Sequence, residues 1–537
     1  MWPHNYTPLA DSLAISSLVA ALPIFVLLVM IGILRKPAWM AALSGLSGAL
    51  IVALFVYQMP AGTVASAVTY GACFGLFPIG WIVYWAIVLY RITVETGNFE
   101  IIKDSIGGLT EDRRLQAMLI AFALGAFIEG AAGFGTPVAV AAAMLTGLGF
   151  SPFYAAAICL LANTAPVAFG SIGIPVVTLA GITGLPMNEL SAWVGRICAP
   201  VSVFVPAYLV MVMGGFRALK GVIPAAALCG VAFAGTQFYV SNYIGPQLTD
   251  ILAALAAIVA MVVLLKVWKP KDEFHLSEET SPQLKPEPHG AGRTILAWSP
   301  YLFLVFFVLL WGQKPVQDIL NTITMKFPWP GLHNMVQRVP PVVANPSPYA
   351  AEYTFNFLSA AGSACMFATL ASMLVLRVGI GKYVGILFAV GKQLFLSMVT
   401  IASVLGLAFL MNYCGATSTL GLAFAATGAA FPFFSAMLGW LGVFLTGSDT
   451  SANALFGNLQ VVTANRLGLD PILMASANSA GGVMGKMISL QSIAVAAAAT
   501  SMKAADEARL FRFTMRHSIF LASVLGVITF LYASMQK

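Results

Sequence analysis

The stretch LTGSDTSANALFG, from Leu445 to Gly457, decides how this chain must fold. The run before it, FPFFSAMLGWLGVFL, is almost entirely apolar and is typical of a membrane-spanning helix. The stretch itself carries small polar groups and one carboxylate, Asp449. Broken backbone at membrane depth is tolerated only where it is buried in protein or lines a watery cavity. We therefore expect a broken helix here, with its polar tip facing the protein interior.

The composition indicates that the surroundings are a lipid bilayer. Of the 537 residues, 59% are hydrophobic and only 9% are charged, whereas a soluble domain carries roughly 25% charged residues. A large soluble core is excluded, and we predict one polytopic all-α membrane unit. The net charge of +7 arises from Lys and Arg between apolar segments, so no nucleic-acid partner is expected. The six cysteines lack metal-ligating spacing, so we expect neither a metal nor another cofactor.

Apolar stretches long enough to cross the bilayer, about 20 residues each, recur along the chain. Those without interruption lie near 12–34, 38–57, 63–90, 190–213, 217–242, 246–268, 294–313, 355–376, 383–411 and 513–534. Two further regions, 114–182 and 416–500, are apolar but repeatedly broken by Gly, Pro, Asn and Ser. Together these stretches predict about 12–14 transmembrane or re-entrant helical segments.

The distribution of basic residues predicts how these segments are oriented. No Lys or Arg precedes Arg35, whereas basic clusters recur in later connections between segments. An outside N-terminus places every one of these clusters in the cytoplasm, and the C-terminus then also lies outside. The one obviously hydrophilic connector, from Lys269 to Arg293, is predicted to be a flexible cytoplasmic loop.

The two broken regions resemble each other. Three pairs of motifs recur in the same order: FIEGAAGFGTP (127–137) with FLTGSDTSANALFG (444–457), LGFSP (148–152) with LGLDP (467–471), and ANTAPVAFGS (162–171) with ANSAGGVMGK (477–486). Their offsets are 317, 319 and 315 residues, so only small insertions separate the copies. Three matches in order at nearly one offset indicate an internal repeat.

The predicted orientation makes this an inverted repeat. Shifting the chain by the offset places cytoplasmic connections of one copy against outside connections of the other. We therefore predict two inverted-topology repeats that contain broken helices and hairpins. The predicted divisions are a first repeat (1–216), linking helices with a cytoplasmic loop (217–293) and a second repeat (294–537).

Inverted repeats of secondary transporters place the substrate site near the midplane, on discontinuous helices. Half-helix N-termini there direct unpaired backbone N–H groups and positive dipole ends at an anion, and Ser, Thr and Asn add neutral donors. We expect four breaks, at Glu129 to Pro137, Asn163 to Gly173, Gly447 to Asn453 and Asn478 to Ser489. The predicted substrate-binding residues are Thr136, Asn163, Thr164, Ser448, Thr450, Ser451, Asn453, Asn478, Ser479 and Lys486.

Two carboxylates in these breaks are predicted to couple transport to a proton. Desolvation favours the protonated form of a carboxyl, and an intramembrane carboxylate is functional by default. Asp449 is the first choice because it lies inside the polar tip. Glu129, at the start of the opposite tip, is the second choice.

Lys486 makes the two repeats unequal, because the first copy has Ser171 at the same place. A two-fold site built only of neutral donors has no reason to favour one orientation of a small anion. Lys486 is expected either to bind a substrate carboxylate directly or to form an ion pair with Asp449. The remaining alternative is a lysine that extends to the membrane interface.

The motifs FIEGAAGFGTP, LLANTAPVAFGSIGIP and TGSDTSANALFG closely resemble those of the L-lactate permease family of bacterial carriers, which includes glycolate permeases. The resemblance extends over essentially the whole chain, including FGLFPIGWIVYWAIVLY (74–90). It implies uptake of small 2-hydroxymonocarboxylates, mainly L-lactate together with D-lactate and glycolate, across the bacterial inner membrane. It further implies proton symport with alternating access.

Other functional classes find less support in the sequence. A channel needs a ring or filter of like groups, an enzyme needs a nucleophile with its base or a metal cluster, and a primary pump needs a phosphate-binding loop. The sequence contains none of these patterns. A sodium-coupled carboxylate or dicarboxylate carrier of the wider ion-transporter superfamily stays open, because such polar tips also suit sodium. A homodimer is compatible with the sequence, which does not decide the oligomeric state.

Overall fold

A computed structural model of the protein describes residues 1–133, 135–272, 274, 276, 286–502 and 504–536. Among these residues, twelve helical segments are long and apolar enough to cross a membrane. This confirms the predicted all-α polytopic architecture and agrees with the predicted number of segments. The segment Arg113–Ala131 is enclosed by protein along its apolar length, so it lies inside the helix bundle.

The helices of the first half alternate between long spans and short broken pieces. They are α1 (Leu13–Ala20), α2 (Leu22–Leu28), α3 (Ala38–Ile51), α4 (Ala61–Phe74), α5 (Trp81–Glu95), α6 (Asn98–Gly107), α7 (Arg113–Gln116), α8 (Gly125–Ala131), α9 (Thr136–Gly147), α10 (Pro152–Ala162) and α11 (Gly170–Thr183). Turns of π-helix extend or join some of them, at Val29–Ile33, Val52–Val56, Gly75–Gly80 and Ala117–Leu124. Three long helices follow, α12 (Met187–Lys220), α13 (Ile223–Tyr243) and α14 (Thr249–Val267).

The second half contains the same mixture of long and broken helices. They are α15 (Ala291–Trp311), α16 (Lys314–Leu320), α17 (Ala361–Val375), α18 (Ile380–Cys414), α19 (Ala416–Phe424), α20 (Phe431–Thr446), α21 (Asp449–Leu467), α22 (Pro471–Lys486), α23 (Leu490–Ala499) and α24 (Ala504–Met535). Short 3₁₀ turns occur at Val167–Phe169, Asn321–Ile323 and Ala425–Ala430.

Short strands lie at the chain start and between α16 and α17. They are β1 (Trp2–Pro3), β2 (Met325–Pro328), β3 (Val336–Arg338), β4 (Ser347–Pro348) and β5 (Glu352–Phe355). Strand β3 pairs in parallel with β1 and antiparallel with β4, while β2 and β5 form a separate antiparallel pair. The strands cover one end of α4, where the Tyr70 hydroxyl donates to the Glu352 carbonyl at 2.9 Å.

The helices pack in two groups. In the first, called here the α18 group, α3 and α4 lie along α18, and α17 packs on α5 and α15. In the second, called here the α22 group, α12 to α14 pack in sequence, α20 and α21 pack on α22, and α9 packs on α23. Helix α8 packs on α14, and α11 packs on α21, so both broken regions belong to the α22 group.

Two helical hairpins turn back inside the α22 group. Helix α8 ends at Ala131 and α9 begins at Thr136, and the Arg113 guanidinium donates to the Leu148 carbonyl at 2.7 Å across the open end. The first arm, which starts at Arg113, therefore begins at the level where the second arm ends, near Leu148. Helices α20 and α21 form the second hairpin, whose arms are joined by a hydrogen bond of 3.2 Å from the Gln460 amide to the Ser435 carbonyl.

Two broken helices accompany the hairpins. The chain bends by 63° between α10 and the segment that leads into α11. Within α11, the residues Ser171, Ile172 and Gly173 all have positive φ, between 47° and 73°. The second break lies between Lys486, where α22 ends, and Leu490, where α23 begins.

Parts of the predicted breaks are helical. The prediction that the last break begins at Asn478 is wrong, because α22 continues to Lys486. Glu129 lies within α8 and Asn453 within α21, so neither is in an irregular turn. The glycines of α22 do not interrupt it because they serve close helix packing. In the connector Lys269 to Arg293, residues 273, 275 and 277–285 lie outside the described residues. Its flexibility, the inverted orientation, the outside termini and the three divisions stay predictions.

Glycines allow α20 and α22 to approach closely. A Cβ built at Gly481 would clash with the backbone carbonyl of Ala436, and one at Gly485 with that of Trp440. On the facing helix, a Cβ at Gly439 would clash with the carbonyl of Asn478. Small residues that let helix backbones touch are the usual device for association in membranes. This contact fixes the hairpin α20–α21 against the broken helix.

We expect Gly481→Val to lower the thermal stability of the purified protein in detergent. The added methyl groups must separate α20 from α22, and overpacking of this kind costs about 1–3 kcal/mol. Thermal unfolding followed by size-exclusion chromatography measures the effect. Gly235→Val is the matched control, because a Cβ at Gly235 in α13 meets nothing within 4 Å. Equal melting temperatures for the two variants would contradict this account of the α20–α22 contact.

Candidate functional site

A cavity of about 150 Å³ lies where the hairpin α20–α21 and both helix breaks meet the α18 group. At about 30 Å³ per water it would hold roughly five waters, and sites for drug-sized ligands are larger, at about 300–1,000 Å³. Its lining residues are Ala38, Glu129, Val167, Gly170, Ser171, Ile174, Pro175, Ser397, Thr400, Ile401, Thr446, Gly447, Ser448, Asp449, Thr450, Ser451, Lys486 and Gln491. The cavity therefore suits a small polar ligand.

The tip of the second hairpin presents a helix N-terminus to this cavity. Gly447 turns the chain in the left-handed conformation, with φ of 73°. Ser448 caps α21, and its hydroxyl accepts the Ser451 backbone N–H at 3.3 Å. The first N–H groups of a helix have no partner within the helix, and those of Asp449 and Thr450 lie in this turn at the cavity wall. The tip thus supplies donors and a positive dipole end for an anion.

The carboxyl of Asp449 has two unlike oxygens. Its Oδ2 accepts from the Ser479 hydroxyl at 2.6 Å and from the Asn453 amide at 3.4 Å. Its Oδ1 is buried against Gly482 and has no hydrogen-bond partner among the described residues. One oxygen is therefore held in place by hydrogen bonds, while the other can still accept one. This arrangement suits a group that binds and releases a proton.

Glu129 reaches the cavity from the first hairpin. Its Oε2 accepts a hydrogen bond of 2.9 Å from the Asn163 amide, which lies at the end of α10. A Cβ built at Gly170 would come within 2.6 Å of the other carboxyl oxygen, so that glycine makes room for the carboxyl. The first hairpin and the first broken helix are joined through this contact.

Lys486 places a positive charge at the cavity. Its side chain is only 8% exposed, and its ammonium donates to the Gly447 carbonyl at 2.7 Å. It lies within electrostatic range of both Glu129 and Asp449. Among the described residues no ion pair between Lys486 and Asp449 is formed, and the ammonium faces the cavity instead of extending to the interface. An ammonium held by one carbonyl has donors to spare.

The equivalent position in the first repeat makes the equivalent contact. The Ser171 hydroxyl donates to the Ala132 carbonyl at 3.1 Å. Both Ser171 and Lys486 thus tie a helix break to the tip of the neighbouring hairpin. The predicted repeat, which stays a prediction, aligns these two residues, and at this position the first segment has a hydroxyl where the second has an ammonium.

Several predicted site residues lie behind the cavity wall. Asn453 donates at 3.1 Å to both the Ser479 hydroxyl and the Pro175 carbonyl, which joins α21 to α22 and α11. Asn478 donates to the Asn453 side chain at 2.9 Å and accepts from Gln460 at 3.0 Å. This network fixes the orientation of the residues that hold Asp449.

The predicted residues therefore divide into two sets. Those that line the cavity are Glu129, Ser448, Asp449, Thr450, Ser451 and Lys486. Those that do not line it in this conformation are Thr136, Asn163, Thr164, Asn453, Asn478 and Ser479. The roles of both sets in binding stay predictions.

The sequence did not reveal every residue of the site. Ser397 and Thr400 lie inside the uninterrupted apolar stretch of α18, with no break beside them to mark them. Gln491 follows the break after Lys486, and this proximity was the signal that could have found it. Asp250 does not line this cavity but is a further carboxyl that the sequence did not mark, buried at the start of α14. A carboxylate at a helix start is ordinarily interpreted as a dipole partner near the surface.

Fold and site together define a class: a multi-pass helical membrane protein with a small charged chamber between two helix groups. The family model described as L-lactate permease matches residues 16–536, and the chain belongs to this family. This confirms the resemblance seen in the motifs, and it identifies a multi-pass protein of the bacterial inner membrane.

Curated relatives match the chain over almost its full length. It is 45% identical to the L-lactate permease of Bacillus subtilis, over 99% of this chain and 98% of the relative. It is 44% identical to the glycolate permease GlcA of Escherichia coli, with the same coverage. Among solved structures, the YdaH transporter of Alcanivorax borkumensis shares 12% identity over 88% of each chain, with a TM-score of 0.46.

We expect Asn478→Ala to destabilise the protein more than it weakens substrate binding directly. The substitution leaves Gln460 and Asn453 with buried unpaired groups, each costing about 1–3 kcal/mol. Thermal unfolding in detergent and lactate affinity, measured on the same preparation, separate the two effects. Wild-type stability combined with lost affinity would instead place Asn478 in direct contact with the substrate.

Proposed function

We propose that the protein takes up L-lactate and related small 2-hydroxymonocarboxylates, namely D-lactate and glycolate, together with a proton. Two curated relatives with nearly complete coverage are an L-lactate permease and a glycolate permease. The observation that supports this substrate class best is the small cavity with one ammonium at a helix N-terminus. Such a site has the size and charge for a monocarboxylate of a few carbon atoms.

The substrate carboxylate binds between the Lys486 ammonium and the free N–H groups of Asp449 and Thr450. Charge-assisted hydrogen bonds of this kind are roughly twice as strong as neutral ones. The 2-hydroxyl then reaches the hydroxyls of Ser448 or Ser451. The methyl group of lactate lies against the apolar side of the cavity, which Ile174, Ile401 and Val167 provide, and glycolate leaves that space empty.

Proton coupling follows from the charges around this site. Glu129, Asp449 and Lys486 share one low-dielectric region, so adding an anion without a proton increases the unbalanced negative charge. Protonation of Asp449 removes one negative charge when the substrate enters. The unpaired Oδ1 is the atom that accepts this proton, since Oδ2 is already occupied by Ser479.

Alternating access involves relative movement of the two helix groups. Residues of the α22 group form most of the cavity wall. The facing wall is formed by four residues of the α18 group, Ala38, Ser397, Thr400 and Ile401. Hairpin tips and helix breaks are tied to each other within the α22 group by the contacts of Lys486, Ser171 and Asn453. Sliding of that group along α18 would carry Lys486 and the α21 N-terminus together without breaking these bonds.

Lys486→Met should weaken lactate binding, since the variant loses the ammonium that attracts the carboxylate. Hydrogen bonds to charged groups contribute about 1.5–3 kcal/mol, which corresponds to a loss on the order of tenfold to a hundredfold in affinity. Isothermal titration with lactate in detergent measures it. Lys392→Met is the control, because Lys392 is exposed on α18 and does not line this cavity. Wild-type affinity in Lys486→Met would remove the lysine from the site.

Asp449→Asn should abolish accumulation of lactate driven by a pH gradient and leave lactate counterflow at equal pH in place. Asparagine keeps the shape and the bond from Ser479, but it cannot bind and release the proton. Both measurements are made in proteoliposomes with labelled lactate. Accumulation at the wild-type level in the variant would exclude Asp449 as the coupling acid. Wild-type accumulation driven by a sodium gradient, and not by a pH gradient, would favour the sodium-coupled alternative.

A further inference from the structure

Asp250 is a buried carboxyl that the mechanism above does not use. It lies in the first turn of α14, in the segment that links the two repeats, and it is 1% exposed. Neither of its carboxyl oxygens has a hydrogen-bond partner among the described residues. An ionised carboxylate without partners in an apolar interior is so costly that the group takes up a proton instead.

Asp250 lies next to the first hairpin. A Cβ built at Gly130 would come within 2.8 Å of the Asp250 Cβ and within 3.0 Å of the Ile251 backbone nitrogen. The missing side chain of Gly130 therefore lets the start of α14 touch α8 one residue after Glu129. The two carboxyls lie within electrostatic range of each other, and the Cys198 thiol of α12 is a further titratable group within electrostatic range of Asp250.

A second cavity reaches the residues just before Asp250. It has a volume of about 660 Å³ and lies between the α18 and α22 groups, where Gln247 and Leu248 form part of its wall. Asn188, Gln313 and Asn356 also line it, which makes it partly polar. The charge bias predicts that these residues lie at the outside face. We call this the outer cavity, and the cavity of about 150 Å³ beside Asp449 the inner cavity. On α11, Val177 lines the outer cavity, whereas Ile174 and Pro175 line the inner cavity.

We propose that Asp250 is a proton-relay residue that receives the coupling proton from the outer cavity and passes it to Glu129. The transfer requires the two side chains to come into hydrogen-bond contact, which they do not make in this conformation. The O–H bond of the Asp250 carboxyl then breaks and an O–H bond forms on the Glu129 carboxylate, so the single negative charge moves to Asp250. A hydronium ion that enters through the outer cavity then reprotonates Asp250 and leaves a water molecule. This inference rests on the proposed proton symport and adds an entry path for the proton.

The arrangement suits a relay for electrostatic reasons. Two carboxyls within electrostatic range of each other in a low-dielectric region do not both ionise readily, because each negative charge disfavours the other. The favoured state of the pair therefore carries one proton, on Asp250 before the transfer and on Glu129 after it. Chains of buried Asp, Glu and His residues are the usual proton paths of membrane pumps and transporters. Glu129 lines the substrate cavity, whereas Asp250 does not, so the pair connects two separate spaces.

The test uses the full-length protein in proteoliposomes with labelled lactate. Asp250→Asn keeps the shape of the side chain and mimics its protonated form, so counterflow at equal pH should stay at the wild-type rate. Accumulation driven by a pH gradient should fall to the level seen without a gradient. Asp250→Glu should restore accumulation with an altered pH profile. Asp318→Asn, which removes an exposed carboxylate from α16, should behave as the wild type.

Infrared difference spectroscopy gives an independent readout. Lactate binding to the wild type should change the C=O stretch of a protonated carboxylic acid, and Asp250→Asn should lack one such band. Unchanged accumulation in Asp250→Asn, or an unchanged set of bands, overturns the relay. If Asp250→Asn does not fold, a wild-type pH profile in Asp250→Glu overturns it. Failure of the wild type itself to accumulate lactate with a pH gradient would instead refute the proposed symport.

Discussion

The need to keep backbone polar groups satisfied without water governs this structure. A helix that stops inside the bilayer exposes N–H and C=O groups, and each costs several kcal/mol in hydrocarbon. Side chains at the helix breaks satisfy carbonyl groups at the hairpin tips: Lys486 donates to the Gly447 carbonyl, and Ser171 donates to the Ala132 carbonyl. The hairpin tips and helix breaks are therefore one cooperative unit. A cavity inside that unit is polar because the breaks are there.

The difference between Ser171 and Lys486, which the predicted repeat aligns, places a positive charge on one side of this unit. Where the first copy has a hydroxyl, the second has an ammonium, and both groups perform the same structural task. The ammonium retains further donors, so the second repeat can hold an anion while the first contributes Glu129 and its Asn163 partner. Similar contacts thus support unlike chemistry, and the charge difference would favour one orientation of a small bound anion.

The sequence predicted the membrane setting, the helical architecture and the places where helices break, because apolar length and Gly, Pro and Asn are local signals. It predicted the wrong start for the last break, because the glycines of α22 serve packing against α20. The two helices are distant in sequence: Ser435 of α20 and Met474 of α22, which are in contact, are 39 residues apart. Ser397 and Asp250 were missed for the same reason. Their importance comes from which distant element faces them, and no periodicity records that.

The difference in size between the two cavities has a pharmacological consequence. With the substrate site proposed in the cavity of about 150 Å³, a competitive inhibitor must be nearly as small as the substrate and will have few contacts to distinguish it from other metabolites. The outer cavity, at about 660 Å³, falls within the range of drug-sized sites. A selective blocker should therefore wedge between the two helix groups, against side chains such as Trp311 and Gln317, and hold them at one stage of the cycle.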